Sequence, residues 1–523
     1  MGRKILFITT DQMRYDALGC NGGTVARTPV VDGLAADGIR YQRAHPQNVV
    51  CMPSRATMIT GQHVGTHGVW MNGVALPVDA PSVARVLHRA GYRTALVGKA
   101  HFEPFIDPFL RFPENVLGRD ADPDGSHAPH EGEPHRGFDH LQLATHGTGL
   151  FTHYADWMGK HAPGHIADFY SVVEPASMEV SSVRGGDTDC VQVGINNMPR
   201  GVYHTDWCVD RAIDWLDTLD PADDWFCWVS FPDPHHPWDP PQSEMSRVRW
   251  RDLDLPEGYP ADRSQREALL DAKAPHWRQW YDGALVSNYE APRDWVPATL
   301  TDDQVREVNA RVHVENELID EGVGRLLAHI DGRGWGDDTD VLFTTDHGEF
   351  QGDHGLLFKG PYHVDSLMRL PLIWRPARSS GPVTGVSVAE PVGLVDLAPT
   401  FCAIAGVEVP EWMEGQSLPR DESEAAVQKR QRVLTEWDSV HPNRTKIGVR
   451  SIWRDGFLCT SYLAGTVHDG TEGELYDCAE DPLQRINLWD DPARRSIRDD
   501  LVADLWVSLP PMREPRPIVQ APV

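Results

Sequence analysis

The sequence predicts an α/β protein with a large mixed, mostly parallel sheet flanked by helices, and a smaller C-terminal α+β domain. Four short apolar runs, each followed at once by polar residues, carry this prediction: KILFITTDQ, RTALVGKAH, DWFCWVSFPDPHHP and DVLFTTDHGE. Apolar runs of this kind between amphipathic helices are typical of parallel strands buried on both faces. Because ligands of such sheets bind beyond the carboxyl ends of the strands, we expect the four polar ends to meet in one crevice.

The longest predicted helix begins at a capping box formed by Thr301 and Gln304. Apolar residues then recur at helical spacing until the chain reaches Gly332, shortly before the DVLFTTDHGE strand. Residues 102–200 are instead rich in Pro, Gly, Asp and His and show little periodicity. We expect that segment to form long loops that wall the pocket.

The chain of 523 residues is longer than a single hydrophobic core usually supports, so we expect two domains. Residues 1–420 would form the catalytic α/β domain, with 102–200 as a loop-rich insert. Residues 421–523 would form the small domain, because SIWRDGFLCTSYLAG and GELYDCAEDPLQRINLW indicate antiparallel strands followed by a terminal helix and a proline-rich tail.

Charge and cysteine usage limit the classes of partner. With 77 acidic and 48 basic residues the net charge is -29, which opposes binding to nucleic acid or to an anionic membrane surface. An anionic substrate would therefore need a locally positive pocket. The 8 cysteines form no C-x-x-C pair, and neither a signal peptide nor a membrane span is evident. The expected location is the cytoplasm.

The stretch NVVCMPSRATMITGQ raises the question of what Cys51 does. A cysteine phosphatase needs an arginine six positions after its cysteine, where this chain has Thr57, so that class is excluded. A Cys/His hydrolase stays open, although it would leave the polar strand ends at Asp11, Asp346 and His347 without a role. A purely structural thiol is the other alternative.

The segment CMPSR fits C-x-P-x-R, the sequence in which sulfatases have their cysteine oxidised to formylglycine. Further landmarks follow in family order: TTDQMR, GYRTALVGKAH, PHHPW, TTDHGEFQGDHGLLFKG and ELYDCAEDPLQRINL. The chain thus resembles the formylglycine-dependent sulfatases of the alkaline phosphatase superfamily, near the choline sulfatases and phosphonate monoester hydrolases. The resemblance implies an alkaline phosphatase-like fold, hydrolysis of a sulfate monoester to alcohol and sulfate, and a formylglycine-generating enzyme that matures Cys51.

In this chemistry one hydroxyl of the aldehyde hydrate attacks sulfur and expels the alcohol. The other hydroxyl then loses its proton, and sulfate leaves as the aldehyde re-forms. The resemblance assigns one divalent metal to Asp11, Asp346, His347 and modified Cys51. Many sulfatases have a second aspartate where this chain has Gln12, and an asparagine in place of the histidine. Ca²⁺, Mn²⁺ and Zn²⁺ therefore all stay open as the metal.

Three cations are expected beside the nucleophile. Arg55 would hold the hydrate and the metal-side carboxylates. Lys99 and Lys359 would clamp the sulfate oxygens, since fixed cations aimed at developing charge are usually the largest catalytic contribution.

Three further residues complete the predicted site. His101 is the expected base for the second hydroxyl, and His235 would contact the leaving-group oxygen as a hydrogen-bond donor or acid. Asn72 lies 21 residues after Cys51, as an active-site asparagine does in the families that the chain resembles, and would bind an ester oxygen.

Two alternatives remain beside the sulfatase. A phosphonate monoester hydrolase or phosphodiesterase would use the same fold and nucleophile, and promiscuity toward both esters is open. Phosphonate hydrolases replace the Lys and His of the G-K-x-H segment, which Lys99 and His101 retain here. A non-catalytic sulfate-binding protein would never acquire formylglycine. Eight histidines from His127 to His165 match no ligand spacing, so no second metal site is predicted. A homo-oligomer is expected.

Overall fold

The computed structural model covers the whole chain, and the residues it describes are 3–104, 112–114, 134–146, 152–168, 173–174, 179–180, 183–260, 262–285, 292, 295–381, 383–440 and 445–511. The predicted proline-rich tail from residue 512 onward lies outside these residues, as do His127 and His130 of the histidine-rich segment.

An eight-stranded mixed sheet forms the centre of the described chain. Its strands are β1 (Lys4–Thr10), β2 (Ile39–Tyr41), β3 (Arg93–Gly98), β4 (His140–Leu143), β5 (Trp225–Ser230), β6 (Thr339–Thr345), β7 (Leu372–Arg375) and β8 (Val386–Val388). They lie in the order β8-β2-β7-β6-β1-β5-β3-β4. β1 is parallel to β5 and β6, β3 is parallel to β5 and β4, and β7 runs antiparallel to both of its neighbours. The predicted mostly parallel sheet and its four apolar strands are confirmed.

The α-helices of the described residues are α1 (Pro29–Ala36), α2 (Cys51–Thr60), α3 (Val64–His67), α4 (Val83–Arg89), α5 (His153–His161), α6 (His204–Asp217), α7 (Arg263–Asp271), α8 (Pro275–Tyr281), α9 (Asp302–Gly332), α10 (Asp365–Met368), α11 (Leu397–Ala405), α12 (Glu422–Val427) and α13 (Arg495–Ser508). Two short strand pairs lie outside the large sheet, Ala44–His45 with Val392–Gly393 and Val173–Glu174 with Glu179–Val180. None of the described helices is long and apolar enough to cross a membrane.

Helices cover both faces of the large sheet. In β1, Ile5 and Phe7 belong to one apolar cluster, whereas Leu6 and Ile8 belong to a cluster on the opposite face. All four side chains are fully buried, and each such burial contributes about 1.5–3 kcal/mol. This two-sided burial explains why the strand sequences are continuous apolar runs rather than alternating ones.

The predicted long helix is α9. Its capping box is present, since the Thr301 hydroxyl accepts a hydrogen bond from the backbone N–H of Gln304, and the Gln304 side chain accepts one from the N–H of Thr301. The helix ends at Gly332 and leads into β6, as the sequence predicts.

The expectation of long loops in residues 102–200 is wrong for part of that segment. The described portion contains β4, which extends the large sheet beside β3, and α5, whose first turn is capped by the Thr152 hydroxyl. The sequence of β4, HLQL, is too short to show a period, and its pairing partner lies far away in the sequence. The proposed insert boundaries stay a prediction.

The C-terminal region forms a four-stranded antiparallel sheet of β9 (Arg432–Val440), β10 (Lys446–Arg454), β11 (Phe457–Tyr462) and β12 (Gly473–Asp477). Helix α13 packs on one face of this sheet through Leu501 and Leu505. The predicted α+β character is confirmed, and the boundary at residue 421 stays a prediction. The first strand also contacts the catalytic region, because the N–H of Glu436 donates to the carbonyl of Gln47 at 2.8 Å.

Candidate active site

The carboxyl ends of four parallel strands meet at one edge of the sheet. Asp11 directly follows β1, Lys99 follows β3, and Asp346 follows β6. His235 lies five residues beyond the end of β5. Side chains from all four ends are in mutual contact, either directly or through Cys51 and Lys359. The predicted single crevice is therefore present.

Cys51 begins helix α2 within this crevice. The preceding residue, Val50, is extended, and the backbone N–H of Met52 donates to the Asn72 carboxamide oxygen at 3.0 Å. The Cys51 side chain is only 1% exposed. Burial, followed by the nearby Asp11 carboxylate, raises the pKa of its thiol far above the usual value. Lys359 and Lys99 act in the opposite direction but do not outweigh burial, so the unmodified side chain would be a neutral thiol, which disfavours the Cys/His hydrolase.

Four potential ligand atoms surround one point in the crevice. The ligand atoms of Asp11, Cys51, Asp346 and His347 all lie within 4.8 Å of one another. His347 Nε2 lies 3.1 Å from Cys51 Sγ, and it lies 3.6 Å from a carboxylate oxygen of each aspartate. In the predicted mature enzyme, a formylglycine hydroxyl oxygen would take the place of Cys51 Sγ. Two carboxylates, one imidazole and one hydroxyl fit a divalent cation.

The charge states of these residues suit cation binding. Burial works against ionisation of Asp11, but Lys99 and the other nearby cations outweigh it and lower the pKa of the carboxyl well below its usual value. Burial lowers the pKa of His347, so its ring is neutral. His347 Nδ1 donates to the carbonyl of Gly348 at 3.0 Å, which leaves the lone pair of Nε2 facing the aspartates.

Arg55 contacts both aspartates of the site. Its Nε donates to Asp346 at 2.8 Å, and a terminal nitrogen lies 3.8 Å from Asp11. The other terminal nitrogen donates to the carbonyl of Lys99 and to the Ser230 hydroxyl. The guanidinium is fully buried. The predicted contact with the metal-side carboxylates is therefore present.

Two buried lysines flank Cys51. Lys99 Nζ lies 3.8 Å from Cys51 Sγ and donates to Asp11. Lys359 Nζ lies 3.5 Å from the same sulfur and donates to the side-chain oxygen of Gln12 at 2.6 Å. The pair makes the crevice locally positive in a chain of net charge -29, as an anionic substrate requires.

The remaining predicted residues differ in how directly they reach this centre. His235 Nδ1 donates to the backbone carbonyl of His236 at 2.5 Å, and its Nε2 lies 2.8 Å from Lys359 Nζ. His101 is buried two residues beyond Lys99, with a left-handed backbone (φ 57°). The Asn72 oxygen is engaged by the N–H of Met52, so its predicted ester contact stays a prediction.

Several residues at the site were not predicted. Ser230, at the end of β5, holds Arg55. Glu349 accepts hydrogen bonds from the side chain of Gln12 and from the N–H of Gln351. The ring of His146 stacks on His235 at 4.7 Å. Ser230 could have been predicted from its position at the carboxyl end of a strand. No sequence signal connects His146 with His235, which lies far along the chain.

Comparison with known proteins agrees with this geometry. The sequence profile described as Sulfatase matches residues 3–407. The chain belongs to the sulfatase family. A second profile, N-sulphoglucosamine sulphohydrolase C-terminal, matches residues 352–508 of this sulfatase. Family membership supports the predicted class of enzyme, a sulfuric ester hydrolase.

Curated relatives cover most of this sulfatase. It is 26% identical to the uncharacterized sulfatase YidJ of Escherichia coli K12 over 98% of this chain and 88% of that protein. It is 25% identical to the choline-sulfatase of Rhizobium meliloti over 93% of this chain and 82% of that protein. A phosphonate monoester hydrolase structure from Agrobacterium radiobacter shares the fold, with a TM-score of 0.74, 24% identity, and coverage of 97% of this chain and 95% of that one.

Proposed function

We propose that this sulfatase hydrolyses a sulfate monoester with a formylglycine made from Cys51 as its nucleophile. We also propose that one divalent metal is held by Asp11, Asp346, His347 and the modified residue 51. The observation that carries this proposal is the convergence of those ligand atoms on one point beside two buried lysines. When bound, the metal would neutralise sulfate charge and favour ionisation of the hydrate.

The three cations of the crevice would have two different roles. Lys99 and Lys359 would bind the non-bridging sulfate oxygens, because both ammonium groups lie within 4 Å of Cys51 Sγ. Charge grows on these oxygens as the ester bond breaks, so the two cations would bind the transition state more tightly than the substrate. Arg55 would keep the carboxylates of Asp11 and Asp346 in place.

Proton transfer would fall to the two histidines. With substrate bound, Lys359 Nζ would turn from His235 Nε2 to the sulfate. Nε2, once protonated, would then donate to the leaving alcohol oxygen, and the Nδ1 contact with the backbone carbonyl of His236 would keep the ring oriented. His101 would accept the proton of the second hydroxyl of residue 51. Asn72 would bind an ester oxygen through its side-chain amide.

A phosphonate monoester hydrolase or phosphodiesterase is the second candidate. The arrangement that favours it is the ligand set, in which Gln12 turns toward Lys359 and leaves two aspartates and one histidine around the centre. The retained Lys99 and His101 favour the sulfatase. Turnover of both kinds of ester by one site would reconcile these observations.

Mass spectrometry of the peptide around Cys51 tests the nucleophile. We expect formylglycine at residue 51 when the protein is made with a formylglycine-generating enzyme, and cysteine when it is made without one. Cys20→Ser is a suitable control, since Cys20 is partly exposed and lies outside the crevice. Full activity of protein that carries unmodified cysteine at residue 51 would rule out the mechanism.

A kinetic comparison tests the substrate class. Aryl sulfate, choline sulfate, an aryl phosphonate and a phosphodiester would be compared on one mature preparation with its metal content measured. We expect the highest kcat/KM for a sulfate ester. The choline ester is included because a choline-sulfatase is among the relatives. A much higher kcat/KM for the phosphonate or the diester would establish the second candidate instead.

The cytoplasmic location, the maturation partner and the homo-oligomer remain parts of the proposal. All 8 cysteines are unpaired, which agrees with a reducing compartment. Light scattering of the purified enzyme tests the oligomer, and cell fractionation tests the location.

A further inference from the structure

Beside the predicted site, three ligand-type side chains from separate elements converge. His146 follows β4, His204 begins α6, and Asp233 follows β5. One ligand atom from each lies within 4.8 Å of those of the other two. We propose that these three residues bind a second divalent metal, with zinc as the best chemical match.

The donor set is the first argument for zinc. Two imidazoles and one carboxylate are ligands that zinc prefers, and three protein ligands leave a fourth position for water. The rings of His146 and His204 lie at 81° to each other with centroids 5.8 Å apart, so nitrogens of both rings can face a common point. The group therefore differs from a simple cluster of acids, which would suit a harder cation.

Fixed surroundings hold two of the three ligands. Asp233 and His204 are each 1% exposed. One oxygen of Asp233 accepts a hydrogen bond from the Thr205 hydroxyl, and the other lies 2.7 Å from His204 Nε2. A hydroxyl that holds a ligating carboxylate is a common support of metal sites.

Hydrogen bonding within the chain accounts for only part of this cluster. A direct hydrogen bond would explain the pair of His204 and Asp233, but it gives His146 no function. His146 Nε2 is buried and has no hydrogen-bond partner among the described residues. Burial, followed by the neighbouring His235, keeps the pKa of His146 well below its usual value, so the ring is in the neutral form that binds metals.

A metal in this position would affect the enzyme. The ring of His146 stacks on that of His235, so the second site borders the residue that would protonate the leaving group. Zinc bound there is expected to inhibit ester hydrolysis. The inference goes beyond the proposed function, and its main readout, bound zinc, does not depend on turnover.

Zinc content tests the proposal directly. Mature enzyme would be dialysed against zinc(II) alone, and the metal per chain would be measured by mass spectrometry for the wild type, His146→Ala and His161→Ala. His161 is an exposed histidine of the same region and serves as the control. We expect one zinc fewer per chain in His146→Ala, and wild-type content in His161→Ala.

A second measurement guards against indirect effects of truncation. His146→Gln keeps a polar side chain of similar reach. Cobalt(II) absorption should fall by the contribution of one ion in this variant, leaving the bands of the ion held by His347, and should be unchanged in His161→Ala. The zinc concentration for half-inhibition should rise by at least about tenfold, since even supporting residues contribute about 10- to 100-fold to metal affinity. Equal zinc content in all variants would overturn the proposal, whatever happens to KM.

Discussion

Replacing Lys359 by methionine tests whether the buried cations act on the transition state. Methionine keeps the apolar stem and removes the ammonium group, which lies 3.5 Å from Cys51 Sγ. At an effective dielectric constant of about 20, two unit charges at that separation interact by about 5 kcal/mol. Only the part of this energy that grows as the bond breaks lowers the barrier. Removal of a donor aimed at developing charge typically lowers kcat by about 10²–10³, or about 3–4 kcal/mol of barrier. We expect a decrease of this size in the kcat of Lys359→Met.

The assay is steady-state hydrolysis of an aryl sulfate, with the formylglycine content of each preparation measured so that incomplete maturation is not mistaken for slow chemistry. Lys273→Met is the matched control, because Lys273 is also buried but donates to the Tyr476 hydroxyl and to the carbonyl of Gln484. We expect the control to lose stability and keep kcat. If Lys359→Met kept kcat within about tenfold while KM rose, the lysine would bind substrate and transition state equally, and the argument would be refuted.

Three further predictions concern stability and metal. Thr301→Ala should cost about 1 kcal/mol of unfolding free energy because it removes the cap of α9, whereas Thr301→Ser keeps the hydroxyl and should not. Equal urea midpoints for Thr301→Ala and the wild type would contradict this. His363, whose Nδ1 lies 2.6 Å from the Ser451 hydroxyl, has its pKa lowered by burial to about 3. Below pH 6.5, His363 is therefore protonated in the unfolded chain but neutral in the folded one, so the free energy of unfolding falls as the pH drops. In urea unfolding, the free energy of unfolding that the wild type loses between pH 7 and pH 5 should be smaller by about 2 kcal/mol in His363→Asn. An equal loss in the variant and the wild type would argue against a neutral buried ring. Chelation should abolish activity and lower Tm, with Mn²⁺, Ca²⁺ and Zn²⁺ compared for recovery; an unchanged Tm would speak against a metal held by Asp11 and Asp346.

The parallel strands and the long helix were predictable because their signals are local. A strand buried on both faces requires an unbroken apolar run, and the capping box of Thr301 and Gln304 lies within four residues. The strand β4 was not predictable, because four residues with two polar side chains carry no such signal, and the partner strand decides their conformation.

The candidate site was likewise predictable only where its signals are local. Sequence motifs indicated Asp11, Cys51, Asp346 and His347, and the structure brings these four together. Contacts that depend on folding were missed: the hydrogen bond from Arg55 to Ser230, the contact of Lys359 with Gln12, and the group formed by His146, His204 and Asp233. Their members are separated by tens to hundreds of residues, so no spacing rule applies to them.

The burial of Cys51 also bears on how the enzyme is made. Residue 51 is 1% exposed, and the preceding segment is fastened to the first strand of the C-terminal sheet through the hydrogen bond between Glu436 and Gln47. A modifying enzyme could reach the folded thiol only by displacing this segment and breaking its contact with the C-terminal sheet. If residue 51 is converted to formylglycine, as we propose, the conversion would therefore precede folding of this region. On that proposal, molecules that fold before conversion would stay inactive, and the yield of active enzyme would depend on how fast conversion is relative to folding.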